Sequence, residues 1–167
     1  MKTKVLAIVL TFTFAFSGPA AFAAAKADFG GMWALDKARS EGLPPDMDQT
    51  LTVKQAADRV DVEAKISGGR GEQTVTDSYF LDGKARDFTP ALVGGGTGKG
   101  RRTSAWTAEG DGFDATEEAT IEGPEGAETV KATRRWRVSP DGKTLTIEMT
   151  FEGANGAVKS KRVFTRK

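Results

Sequence analysis

The chain has no cysteine and no histidine, and only one tyrosine and six prolines in 167 residues. Without cysteine there is no disulfide, no thiolate nucleophile and no attachment point for a bacterial lipid anchor. Without histidine the commonest metal ligand and the commonest general base are both missing. Only all-oxygen metal sites and carboxylate or lysine catalysis remain, and no cofactor is expected. Charge of one sign is also lacking. The 24 basic residues face 23 acids, without the positive bias that draws a protein to phosphate backbones, so nucleic acid is not an expected partner. Beyond the N-terminus no apolar run approaches the roughly 20 residues of a membrane-spanning helix.

Residues 1–25 carry a different signature. Lys2 and Lys4 precede an apolar run from Val5 to Phe16, a Gly18-Pro19 break and the small-residue site Ala21-Phe22-Ala23. That order predicts a secretory signal peptide cleaved after Ala23 or Ala25. The expected product is one domain, residues 26–167, in the periplasm or outside the cell, with no integral membrane segment after cleavage.

The remainder is punctuated by Asp82-Gly83, Asp111-Gly112, Asp141-Gly142 and Asn155-Gly156, pairs suited to the tight primed turns of β-hairpins. Turns near 57, 69, 82, 96, 111, 124, 141 and 155 leave nine or ten residues for each strand. Strands are expected at 31–36, 49–55, 59–66, 72–80, 84–89, 101–107, 112–122, 127–138, 143–152 and 157–166. Asp36 to Ser40 has room for one helical turn before Pro44-Pro45 stops it, and Gly94 to Gly100 reads as a mobile loop. The predicted fold class is all-β: an antiparallel up-and-down meander of nine or ten strands, closed into a barrel or left half open.

Alternation assigns the faces. Leu145, Ile147, Met149 and Phe151 share the inward side of their strand, as do Val60, Val62, Ala64 and Ile66, or Leu51 and Val53. Trp33, Trp106 and Trp136 fall on inward positions. The same rule turns charges inward: Glu117 beside Phe113 and Ala115, Arg134 beside Trp136, and Arg162 and Arg166 beside Val158 and Phe164, with Arg102 and Asp77 on less regular strands. Unpaired charge in a dry interior costs several kcal/mol. Two arrangements meet that cost. In one, a wetted cavity receives an anionic amphiphile at Arg134 and Arg162, with Glu117, Trp106, Trp136, Met149, Phe151 and Phe164 around it. In the other, Glu117 pairs with Arg134 across neighbouring strands and a terminal arginine stacks on Trp33.

Other patterns fall short of a site. The glycine-rich segment lacks the phosphate-loop spacing, with Val93 and Gly100 where glycine and Ser/Thr are needed. Eight acids between Glu109 and Glu128 face Lys131, Arg134, Arg135 and Arg137 on the next strand, which hairpin pairing explains; no calcium-loop spacing is present and no metal is expected. An acid pair for catalysis is limited to Asp77 and Glu117, so the expectation is a protein that is not an enzyme.

Gly31-Met32-Trp33-Ala34-Leu35-Asp36-Lys37-Ala38-Arg39-Ser40, the hairpin Ser139-Pro140-Asp141-Gly142-Lys143-Thr144-Leu145-Thr146 and the ending Arg162-Val163-Phe164-Thr165-Arg166 together resemble secreted bacterial lipocalin-like (calycin-type) proteins. The opening Gly-x-Trp is similar to the lipocalin and fatty-acid-binding start. The closing Arg-x-aromatic resembles the last strand of the fatty-acid-binding barrels, where Arg and Tyr hold a ligand carboxylate; here Phe164 replaces the tyrosine. The segment after the first strand is too short for a two-helix lid. The resemblance implies an exported, non-enzymatic binder of a small apolar or anionic ligand. An envelope structural or protein-interaction module with a packed interior is the alternative.

Overall fold

The structure, a computed structural model, describes residues 26–69, 71–90, 97–123 and 126–167. The expected signal segment, 1–25, lies outside the described residues. Ten antiparallel strands follow in order: β1 (Gly31–Leu35), β2 (Asp48–Gln55), β3 (Arg59–Gly68), β4 (Gly71–Phe80), β5 (Arg86–Phe88), β6 (Thr97–Trp106), β7 (Gly112–Gly123), β8 (Gly126–Val138), β9 (Thr144–Gly153) and β10 (Gly156–Arg166). They form one sheet in the order β4-β3-β2-β1-β10-β9-β8-β7-β6-β5. The sheet curls into a half-open barrel, with β4 and β5 as its two ends. Between β1 and β2, Lys37–Arg39 makes a single 3-10 turn capped by Asp36, whose side chain accepts from the Arg39 amide.

Alternation sets the core as expected. Trp33, Leu51, Val53, Val60, Val62, Ala64, Leu145, Ile147 and Met149 are buried. At the closed end an aromatic cluster forms: Phe113 stacks on Trp136 at 5.3 Å, and Phe29 meets Phe113 edge-on at 5.2 Å. Each such pair adds about 0.5–1.5 kcal/mol beyond area burial. Phe29 reaches the cluster because Gln55 clamps its segment, accepting from the Phe29 amide (2.7 Å) and donating to the Ala27 carbonyl (2.9 Å). The Trp33 indole donates to the Phe29 carbonyl at 2.8 Å.

Three expectations are corrected. No described residue other than glycine has a positive φ, so the Asp-Gly and Asn-Gly pairs do not form primed turns. At the Asp141-Gly142 turn only Gly142 is left-handed (φ 71°), and its amide donates to the Ser139 carbonyl at 2.8 Å. At Asp111-Gly112 the left-handed residue is Gly110; Gly112 already belongs to β7, where an added Cβ would lie 2.0 Å from the Trp136 carbonyl oxygen. In the glycine-rich segment, residues 94–96 lie outside the described residues, but 97–100 are strand. A Cβ at Gly100 would lie 2.6 Å from the Phe88 ring, so close approach of β5 requires glycine there.

The inward pattern also fades toward one end. Phe151 and Val158, cross-strand partners, are 38% and 65% exposed. They lie toward the tip of the β9–β10 hairpin, beyond the point where the opposite wall covers the sheet.

Candidate functional site

Polar and charged side chains occupy the middle of the interior, between the aromatic base and the exposed end. Arg102, on β6, is 5% exposed and makes a two-pronged ion pair with Asp77 on β4 (2.6 and 2.8 Å) while donating to the Ser78 carbonyl at 3.0 Å. Its Nε donates to Glu117 on β7 at 2.9 Å. Arg134 on β8 donates to the same Glu117 oxygen at 3.0 Å, contacts the Met149 sulfur at 3.1 Å and lies over the Phe151 ring at 5.3 Å. The Arg102 guanidinium is held between the rings of Tyr79 (4.4 Å) and Phe88 (4.2 Å).

The electrostatics follow. Burial works against the charge of Arg102 and Arg134, but their acidic neighbours outweigh it and both guanidinium pKa values rise. Burial raises the Tyr79 phenol strongly, so it stays neutral. Arg162, on β10, goes the other way: burial and the like charge of Arg134 pull it down to about 10. Even so it remains cationic at neutral pH. Its Nη1 donates to the Gln49 side-chain oxygen at 2.8 Å, and its buried Nε has no hydrogen-bond partner among the described residues. Of the three interior arginines, Arg102 and Arg134 are balanced by Asp77 and Glu117, and Arg162 is left over.

Arg162 opens onto a cleft of about 660 Å³ whose wall includes Pro44, Asp46, Met47, Ile66, Gly68 and Gln73; Asp46 shares the wall but makes no ion pair with Arg162. The chain between β1 and β2 forms one side of it; Met47 is buried, and its amide donates to the Pro44 carbonyl at 3.1 Å. A volume of this order suits a drug-sized molecule.

The structure separates the residues singled out in the sequence into three groups. Glu117, Arg134, Met149 and Phe151 come together as one contact cluster. Arg162 stands apart on the cleft. Trp136 and Phe164 are packed in the core and Trp106 against it, with Trp106 6.0 Å from Phe29. Both features of the second arrangement weighed above are present: the Glu117–Arg134 pair, and Arg166 over Trp33 at 4.5 Å. Gln49 was not singled out, although its alternation with Leu51 and Val53 marks it as inward-facing. The partnership of Arg102 with Asp77 had no sequence signal, because β4 and β6 share no hairpin.

No protein-family model matches the chain, and no curated protein matches it by sequence. Fold and strand order define a calycin-like all-β half-barrel. Zebrafish ileal bile acid-binding protein, solved in complex with cholic acid, is similar in fold: TM-score 0.50 and 21% identity over 83% of this chain and 98% of that one. Secretory abundant heat soluble protein 4 from Ramazzottius varieornatus aligns at TM-score 0.44 and 16% identity, over 83% of this chain and 94% of that one.

Proposed function

We propose that the protein is an exported, non-enzymatic carrier that holds a small anionic amphiphile in the cleft at Arg162. The observation that carries this reading is the Arg162 guanidinium: part-buried, without an ion-pair partner among the described residues, and facing a cleft whose wall joins the apolar Pro44, Met47 and Ile66 to the polar Asp46, Ser67 and Gln73. A carboxylate or similar head group would meet Arg162 and Gln49 while its apolar body packs on Met47 and Ile66. Arg134 is not free for that role, since Glu117 and Phe151 engage it. Cholic acid in the zebrafish neighbour agrees with such a ligand class, and the N-terminal segment agrees with export.

The test is titration of the protein with 11-(dansylamino)undecanoic acid, read by probe fluorescence. The wild-type protein is expected to bind, and Arg162→Ala to weaken binding by about 2 kcal/mol or more. Absence of wild-type binding, or equal binding by the variant, would overturn the proposal.

A further inference from the structure

A separate recess lies on the side of the barrel, where the two ends of the sheet meet. Backbone bonding across this seam includes the Gly83 amide donating to the Ser104 carbonyl at 2.9 Å and the Asp82–Ala105 bridge. Beside these contacts, β4 and β5 leave a pocket of about 220 Å³, with Arg102 and Ser104 among its lining residues and Thr76, Phe80, Phe88 and Thr89 around them.

We propose that this seam pocket is a second binding site, for an uncharged, ring-sized polyhydroxyl molecule such as a single sugar unit. Ser104 is the first reason. It is 2% exposed, and its hydroxyl has no hydrogen-bond partner among the described residues. A buried hydroxyl without a partner is costly and rare in folded proteins, and an occupant that bonds to it removes the cost. Charge is the second reason. Arg102 is already matched by Asp77 and Glu117, and Glu117 is shared with Arg134. Arg86 on the pocket wall is paired with Asp82, and the remaining charged lining residues, the exposed Lys84 and Asp87, are of opposite sign, so the pocket is balanced. An ion placed there would bring an uncompensated charge, whereas a neutral hydroxylated molecule would not. This separates the pocket from the Arg162 cleft, where the guanidinium has no ion-pair partner among the described residues. Size is the third reason: the volume falls below the roughly 300 Å³ at which drug-sized sites begin. Phe80 and Phe88, both half-buried, line the pocket beside the guanidinium groups that lie over them, Arg86 on Phe80 and Arg102 on Phe88, and the exposed Thr76 and Thr89 line it as well.

The experiment is a titration of the protein with methyl β-D-glucopyranoside, followed by backbone amide NMR. Shifts are expected at Thr76, Phe88, Arg102 and Ser104, with millimolar affinity. Ser104→Ala removes one hydroxyl without adding bulk and is expected to weaken binding about tenfold, the worth of one hydrogen bond. Ser104→Thr keeps the hydroxyl but narrows the pocket, and should weaken binding as well. In both variants the dansyl fatty acid should bind as in the wild-type protein, which separates loss of this site from loss of the fold. Shifts that are absent, that map elsewhere, or that persist unchanged in Ser104→Ala would mean that Ser104 meets only water, and would overturn the proposal.

Discussion

Arg102 and Asp77 join strands that share no hairpin and no ladder: one guanidinium on β6 grips both oxygens of one carboxylate on β4, at 2.6 and 2.8 Å, across the seam of the sheet. The same arginine reaches Glu117 and through it Arg134, so a single side chain ties three strands beside it into one network.

Arg102→Leu is therefore expected to destabilise the fold by about 3–5 kcal/mol, since Asp77 is left half-buried without its partner. The double variant Arg102→Leu with Asp77→Leu should recover part of that loss. Urea denaturation of the four proteins measures the coupling, and strictly additive losses would show that the pair does not act as a unit.

Arg162→Leu should behave differently from Arg134→Leu. Removing Arg162 breaks no ion pair among the described residues and relieves its electrostatic repulsion from Arg134, so stability should hold or rise. Removing Arg134 strips Glu117 of one of two donors, at about 1–3 kcal/mol. Thermal denaturation of the two variants side by side checks the order.

Asp61 has a folded-state pKa below its ordinary value: burial opposes this, but hydrogen bonds from Ser78 and Arg59 prevail. Asp82, held by the Arg86 side chain at the start of the seam, is lowered strongly. Depressed carboxyl pKa values stabilise the fold fully above the unfolded value of about 4, and that stabilisation is lost as pH falls through the folded values. The melting temperature should thus stay level above pH ~5 and fall steadily in more acidic buffer. Asp82→Asn should flatten the acid limb, and an unchanged limb would contradict the assignment.

Gly112→Ala should cost more stability than Gly83→Ala. A Cβ at Gly112 would run into the Trp136 carbonyl at 2.0 Å, a backbone contact that only a shift of β8 can relieve. At Gly83 there is open space, and the left-handed φ of 73° alone costs about 1–2 kcal/mol. Chemical denaturation should place Gly112→Ala well below Gly83→Ala.

Period-two alternation and glycine spacing were enough to point to an antiparallel meander of nine or ten strands, of which the structure has ten, because strand faces and hairpin neighbours are local properties of the chain. The burial of Leu51, Val60, Leu145 and Ile147, the opposite charges of β7 and β8, and the inward direction of Arg134 and Arg162 all follow from that local rule. Three things required the tertiary structure. The first is how far the opposite wall extends, which leaves Phe151 and Val158 exposed although their alternation points inward. The second is which inward charges meet. Glu117 and Arg134 lie on adjacent strands, but Arg102 finds Asp77 only when the sheet has curled far enough to bring its ends together. The third is which glycine turns and which makes room: Gly110 takes the left-handed bend while Gly112 admits a neighbouring carbonyl, a distinction set by packing between strands. Arg162 was left without an ion-pair partner for the same reason, since which acids come within reach of it is a property of the assembled interior and of no segment taken alone.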